Sequence, residues 1–338
     1  MSLAVKYRPR TWDEMTEQTL IVDILKSMCH MSELPSRMFL LIGPQGVGKT
    51  TSARIIANEL NDGQGEPIEI DSASHGNVDS IRELVKQAQM YPIGCKYKVF
   101  ILDEAHMISP AGWAALLKVV EEPPAKTVMI FCTTNPEKIP STILSRVQTF
   151  QLSKISLNGI YNRLVTVLER EISEGADITY TQDAVNFIAK LGNGGMRDSL
   201  TLLDKALAYS NNITIQNIET ALNLPSYDAY FALLGAWAKH DNAEVAKIIN
   251  DTYNSGVNFV RWFEGFHSFV MNVVKYVLLQ DIQATTIPSS YLPKISKYSS
   301  AHVAICLRLA TKLLELNHEL KTTQYLQEIA LTYLCTNK

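Results

Sequence analysis

Eight consecutive residues, Gly43-Pro44-Gln45-Gly46-Val47-Gly48-Lys49-Thr50, set three glycines, a lysine and a hydroxyl in the spacing G-x-x-x-x-G-K-[ST]. Glycines at these places let backbone N–H groups curl round an anion, and the first turn of a following helix adds partial positive charge. In such a cradle, formed here by Gly43, Gly46, Val47 and Gly48, Lys49 reaches the β and γ phosphates of a nucleotide. The Thr50 hydroxyl ligates magnesium, and Thr51 follows in the same helical turn. A helix would ordinarily open on Asp, Glu or Asn; a Gly-Lys-Thr opening makes sense only with an anion seated there.

A second constellation lies about fifty residues on. Val99-Phe100-Ile101-Leu102-Asp103-Glu104 is an apolar strand that delivers two carboxylates at its C-terminal end, where open α/β sheets bind ligands. Asp103 is placed to hold magnesium through water, and Glu104 to polarise an attacking water as general base. Solvated acidic pairs are common, so Asp-Glu alone says little. Behind a buried strand, and beside an intact phosphate motif, it points to hydrolysis of a nucleoside triphosphate, with ATP and Mg²⁺ as the expected ligands.

These groups need a sheet to hold them. Met38 to Ile42 reads as a strand running into the Gly-rich loop, followed by a helix from Lys49 to about Leu60. Pro67 to Ile70, Val99 to Leu102 and Val128 to Thr133 are further β-like runs, with helical spacing over Asn77 to Met90 and Gly112 to Glu122. The alternation implies a parallel sheet covered by helices on both faces. After about Phe150 the strands stop. Leu157–Glu174, Thr181–Leu191, Arg197–Ser210 and Ile215–Leu222 form a small helical lid that ends before Pro225. Five longer helices follow, over Tyr227–Lys239, Ala243–Tyr253, Phe259–Gln280, Ala301–Glu319 and Gln324–Leu334. The expected domains are therefore an α/β ATPase domain over 1–155, a helical lid over 156–224 and an all-helical domain over 225–338. The aromatic stripe of Trp262, Phe263, Phe266, Phe269 and Tyr276 is read as core or subunit interface.

The totals fit a globular chain of 338 residues, 46% hydrophobic and 19% charged. No run of about 20 apolar residues is present, and Lys6, Arg8 and Arg10 near the start have no apolar stretch behind them. A cytoplasmic protein with no membrane role is expected. Cys29, Cys95, Cys132, Cys306 and Cys335 are odd in number and form no C-x-x-C, which speaks for reduced, buried thiols rather than zinc or disulfides. With a net charge of −3, any contact with nucleic acid has to come from a local patch rather than bulk charge.

Beyond the two motifs, several stretches resemble the bacterial clamp-loader gamma/tau family of AAA+ ATPases. Leu102-Asp103-Glu104-Ala105-His106-Met107-Ile108-Ser109 is one, and Ala115-Leu116-Leu117-Lys118-Val119-Val120-Glu121-Glu122-Pro123-Pro124 another. The same holds for Thr133-Thr134-Asn135-Pro136-Glu137-Lys138-Ile139-Pro140 leading to Ile143-Leu144-Ser145-Arg146. Lys6-Tyr7-Arg8-Pro9, Thr11-Trp12-Asp13-Glu14-Met15 and Gly194-Gly195-Met196-Arg197-Asp198-Ser199-Leu200 complete the set. The likeness is dense from Met1 to about Leu207; from Pro225 on only helical character and length agree.

The resemblance implies roles residue by residue. Ala4, Tyr7, Arg8, Pro9, Met15 and Thr16 would line the adenine and ribose end. Thr134 would be the sensor-1 residue, with Asn135 the near alternative, and Met196 and Arg197 would bring the sensor-2 contact from the lid. Arg146 would be an arginine finger inserted into a neighbour's ATP. It further implies a pentamer with other clamp-loader subunits, a sliding clamp as partner, and a collar-like role for the C-terminal helices. The assembly would wind round primer–template DNA, with Ser74, His75, Asn77, Arg82 and Ser109 as candidate contacts. Ser74 to Asn77 reads equally as a polar helix cap.

There are departures. The family's four-cysteine zinc module is missing between Asn61 and Pro67, so no metal beyond magnesium is implied. Val147 stands where a cysteine is usual after Arg146, and Glu17 where a glycine is usual before Gln18. The chain ends at Lys338 without a long tau extension, and this short form also resembles eukaryotic, archaeal and phage small subunits. Two other readings stay open: another AAA+ DNA-remodelling ATPase, which would need a winged-helix tail, and a non-hydrolysing stator subunit, which would commonly lack the motif residues retained here.

Overall fold

The computed structural model describes residues 1–31 and 33–335. A short helix α1 (Leu3–Lys6) and an amphipathic α2 (Thr19–Cys29), which buries Leu25 and Met28, precede the sheet. Then come β1 (Met38–Ile42), α3 (Lys49–Leu60), β2 (Ile68–Asp71), α4 (Ser72–His75), α5 (Val78–Ala88), β3 (Lys98–Asp103), α6 (Pro110–Glu121), β4 (Thr127–Thr133), α7 (Ser141–Leu144) and β5 (Gln148–Gln151). The five strands form one parallel sheet in the order β2-β3-β4-β1-β5.

Strand periodicity decides which helices cover which face. Phe39 and Leu41 of β1, Val99 and Ile101 of β3, and Val128, Ile130 and Cys132 of β4 point to one side and pack with α2 and α3. Met38 and Leu40, Phe100 and Leu102, and Met129 and Phe131 point to the other and pack with α5 and α6. Both faces of β4 are fully buried, so it reads as a continuous apolar run rather than an alternating one. The expected doubly covered parallel sheet is present, but it is wider by one strand. β5 lies at the edge with only Phe150 buried, and its Gln-Thr-Phe-Gln sequence carries no apolar run to announce it.

After β5 the chain forms α8 (Leu157–Ser173), β6 (Thr179–Tyr180), α9 (Gln182–Leu191), α10 (Met196–Tyr209), β7 (Asn212–Ile213) and α11 (Ile215–Ala221). The strands therefore do not stop at Phe150: β6 and β7 pair in parallel, two residues each. The remaining helices are α12 (Tyr227–Ala238), α13 (Asn242–Asn254), α14 (Phe259–Leu279), α15 (Leu292–Ile295), α16 (Ser300–Leu320) and α17 (Leu326–Cys335).

Contacts divide the chain into two compact units. One holds Met1–Arg163 and Gly192–Thr201, the other Leu164–Leu191 and Leu202–Lys338. The second has its own core, in which Trp262, Phe263, Phe266, Phe269 and Tyr276 are all buried, so the aromatic stripe of α14 is core. Within it α9 holds the loop after α14 from two points. The buried Lys190 ammonium donates to Ile282 O and Ile287 O, and Asp183 accepts from the amides of Ser289 and Ser290. The five thiols are unpaired, but only Cys132 and Cys306 are fully buried; Cys29, Cys95 and Cys335 keep some exposure. Among the described residues no helix is long and apolar enough to cross a membrane.

Candidate nucleotide-binding site

The first unit carries a cleft of about 940 Å³, measured to its open mouth, at the C-terminal ends of β1 and β3. Its floor is the turn between β1 and α3. Gly46 and Gly48 take φ of +74° and +109°, backbone that side-chain-bearing residues rarely adopt. Gly43 is needed for another reason: a Cβ there would lie 2.5 Å from Leu152 O. The first turn of α3 has no side-chain cap, which leaves the amides of Lys49, Thr50 and Thr51 turned to the cleft they line.

Lys49 is only 6% exposed, and its ammonium donates to Gly43 O at 2.8 Å and Pro44 O at 2.7 Å. Burial pulls its pKa down, against the raising influence of Glu104, Cys132 and Asp103. The Thr50 hydroxyl donates to Asp103 Oδ2 at 2.7 Å, so the helix start and the strand end meet at two hard oxygens. Asp103 Oδ1 accepts from the amide of Glu104, a residue held at φ +46°. A non-glycine residue in the left-handed region is stored strain of the kind found at working sites. It turns the Glu104 carboxylate into the cleft rather than along the strand.

A polar network backs that carboxylate. Thr134 Oγ1 lies 3.4 Å from Glu104 Oε2 and donates to Asn135 Oδ1 at 2.8 Å, while Asn135 Nδ2 donates to Glu137. Glu137 is thereby held below the ordinary carboxylate range, chiefly by Asn135. His106 Nδ1 sits 3.3 Å from Glu104 Oε2 and 3.2 Å from Thr133 Oγ1, a neighbour that sequence reasoning did not single out. Of the two sensor-1 candidates, Thr134 is the one that reaches Glu104; neither lines the cleft itself.

The cleft's other end is apolar. Ala4, Tyr7, Pro9, Met15, Thr16 and Met196 all line it, together with Ile155, Arg163 and Leu200, which the sequence reading missed. Gln45 is a further lining residue not foreseen. Arg8 and Arg197 line the same space, and Arg8's pKa is lowered by burial first and then by the charges of Arg54 and Arg197. Lys49, Arg8 and Arg197 thus gather in one partly buried space, with Arg54 near enough to act on Arg8. Asp103, Glu104 and the Arg54–Glu69 pair offset part of this positive charge, and the rest suits a polyanion. The start of α10 meets the phosphate turn directly: the amide of Met196 donates to Gly46 O at 2.9 Å, and a Cβ on Gly46 would come within 3.1 Å of Gly195 Cα.

Arg146 lies elsewhere. It is 39% exposed, lines no part of this cleft, and pairs with Glu121 at 3.0 Å while donating to Thr142 O at 2.7 Å. Arg146 thus has an intrachain ion-pair partner, on a side chain that still faces solvent. Among the DNA candidates the cap alternative is the geometry observed. Asn77 caps α5 through Ser80 N, Ser109 caps α6 through Gly112 N, and Ser74 donates to the Asp71 carboxylate. That hydrogen bond and the amide of Ala73 hold Asp71 below its usual pKa. Arg82 is exposed and loosely paired with Asp79, and His75 is exposed. Among the described residues no cluster of three or more His, Cys, Asp or Glu could hold a metal ion.

The family model for the DNA polymerase III delta subunit matches residues 67–156, and that for the ATPase lid domain of the DNA polymerase III clamp-loader subunit matches residues 160–212. The DNA polymerase III subunit gamma of Buchnera aphidicola subsp. Schizaphis graminum is 33% identical over 279 residues, 76% of this chain and 75% of that protein. The gamma/tau subunit of Mycoplasma genitalium is 31% identical over 326 residues, 90% of this chain but 54% of its own length. The gamma/tau subunit of Mycoplasma pneumoniae is 33% identical, with 42% of its length covered. The chain thus spans about half the length of these two relatives. Among solved structures, the Thermotoga maritima RuvB Holliday junction branch migration motor superposes with a TM-score of 0.52 at 19% identity, over 68% of this chain and 78% of that one. That likeness is one of fold.

Proposed function

The chain belongs to the gamma/tau family of DNA polymerase III clamp-loader subunits, and on that premise we propose that it is an ATP-driven motor that opens a sliding clamp and places it on primer–template DNA. The observation that carries the reading is the convergence, in one cleft, of Lys49, Arg8 and Arg197 with the Thr50–Asp103 pair and Glu104. A stator subunit would have no use for all of these.

The Thr50 hydroxyl and the Asp103 carboxylate form the hard oxygen set that suits magnesium. The chemistry a magnesium ion supplies at such a pair is neutralisation of charge on the β and γ phosphate oxygens. Lys49 exchanges its two carbonyl partners for those phosphates, and Arg197 adds a second cation from the start of α10. Glu104 takes the proton of the attacking water, and Thr134, 3.4 Å from its carboxylate, is placed to donate to it on turning from Asn135. Arg146, exposed and remote from its own cleft, serves the site of a neighbouring subunit. The partners are other clamp-loader subunits, the clamp and DNA. The loop after α5 supports a protein partner, since it presents Met90, Tyr91 and Ile93 to solvent, the last 97% exposed. Replacing Glu104 by Gln tests the assignment of the base: ATP affinity should persist while hydrolysis falls by about 10²–10⁴. Hydrolysis at the wild-type rate would show that Glu104 is not the base.

A further inference from the structure

At its apolar end the cleft is lined by two segments far apart in sequence, Met15-Thr16 and Ile155. The residues next to the first grip the residues around the second. Gln18 pairs with Ser153 in both directions, its Nε2 donating to Ser153 O at 2.6 Å and its Oε1 accepting from Ser153 N at 3.1 Å. Glu17 accepts from the amide of Ser156 at 2.9 Å and from the Ser156 hydroxyl, whose oxygen in turn accepts from Gly159 N at 3.0 Å. A carboxylate thus sits over the first turn of α8, where the helix dipole favours negative charge.

Both gripping residues pay in backbone conformation. Glu17 and Gln18 have φ of +60° and +62°, a region glycine enters at no steric cost and other residues do not. A glutamate standing at such a place is informative because its side chain makes contacts that glycine could not.

We propose that Glu17 and Gln18 form a clasp that sets the width of the base end of the nucleotide site, holding Met15 and Ile155 at the spacing a purine ring fills. Glu17 and Gln18 are positioning residues, acting through the two segments. The inference rests on the reading of this cleft as an ATP site. The phosphate end, from Gln45 to Thr51, is built by α3 and its loop; the side-chain hydrogen bonds of Glu17 and Gln18 run to Ser153 and Ser156 instead, and the Met15 methyl comes near it, 3.1 Å from where a Cβ on Gly48 would stand.

The two ends can be separated by ligand. Binding of Mg·ATP and of inorganic tripolyphosphate would be measured by calorimetry on the full chain, wild type against Glu17→Gly. The substitution relieves the left-handed backbone and removes the side chain with its carboxylate. ATP should bind about three- to tenfold more weakly, the effect of losing one or two charge-assisted hydrogen bonds at an exposed site, with tripolyphosphate unchanged within about twofold. Gly159→Ala attacks the clasp from the other side. Alanine suits a helix better than glycine, but its methyl would occupy the place of the Glu17 carboxylate and come within 3.0 Å of Ile155 Cγ2. It should cause the same ATP-selective loss in the wild-type background and a smaller one in the Glu17→Gly background, where only the Ile155 contact remains. ATP affinity within twofold of wild type in both variants overturns the clasp, as does equal weakening of ATP and tripolyphosphate. Wild-type protein that binds neither ligand overturns the ATP site itself and the clasp with it.

Discussion

Lys49 should be indispensable for nucleotide and dispensable for the fold. Its ammonium is buried, and burial holds its pKa below the unfolded value. For a cation lowered in this way the sign is definite: the burial penalty acts in full below the folded pKa and is relieved as pH rises through it. Lys49→Met removes that penalty and keeps most of the volume, while the buried Gly43 O and Pro44 O each lose a donor, which offsets part of the gain. The free protein should therefore melt no lower than wild type by more than a few degrees. Binding behaves oppositely. An ammonium about 4 Å from one phosphate charge, at an effective dielectric of about 20, contributes about 4 kcal/mol. Giving up two carbonyl hydrogen bonds offsets part of this, so the net loss is about 10²–10³ in affinity. The assay is thermal melting with and without Mg·ATP. At a concentration of about 100 times the wild-type Kd, ATP stabilises wild type by about 2.7 kcal/mol, or about 5–11 °C for a unit of this size. The variant at the same concentration should gain less than about 2 °C. A variant that keeps more than half of the wild-type shift would refute the placement of Lys49 against the phosphates.

Two further outcomes follow from other parts of the molecule. Chains carrying Arg146→Ala should be nearly inactive alone, as should Lys49→Ala chains, but mixed assemblies should regain ATPase activity, because an intact cleft then meets an intact finger worth about 10³–10⁵ in rate; full activity of Arg146→Ala alone would reduce Arg146 to its ion pair with Glu121. In the second unit, burial raises Glu219 to a pKa of about 7 against the amide of Tyr227, with Asp228 adding to the rise. A raised acid contributes stability that is full below about 4.5 and lost as pH climbs through 7. Glu219→Gln should leave the melting temperature alone at pH 5 and raise it at pH 8, a gain in stability of no more than about 1–2 kcal/mol after allowing for solvent screening; equal effects at both pH values would contradict this.

The chemistry was the most legible part of the sequence, and for a physical reason. A phosphate cradle needs glycine φ values, an amide-rich helix start and fixed ligand spacing, so Gly43 to Thr50 could hardly be anything else. The same holds for Asp103 and Glu104 behind a strand whose every core position is apolar. The edge of the sheet was illegible: β5 has one buried residue in four, and β6 and β7 have two residues each, too few to show a period. Pocket residues supplied by packing escaped as well. Ile155, Arg163 and Leu200 look in sequence like ordinary helix or linker positions and line the cleft only because the segment after β5, α8 and α10 bring them there. The polar stretch at Ser74 to Asn77 shows the opposite limit, since a cap and a phosphate contact ask for the same residue types.

The central claim is most directly met by the chain's ATPase rate, in the assembly it forms with its partner subunits, measured with and without primer–template DNA and the sliding clamp of the same genome. The account predicts hydrolysis that rises when both are added together and is abolished by Glu104→Gln. Hydrolysis indifferent to clamp and DNA, or none at all, would contradict it.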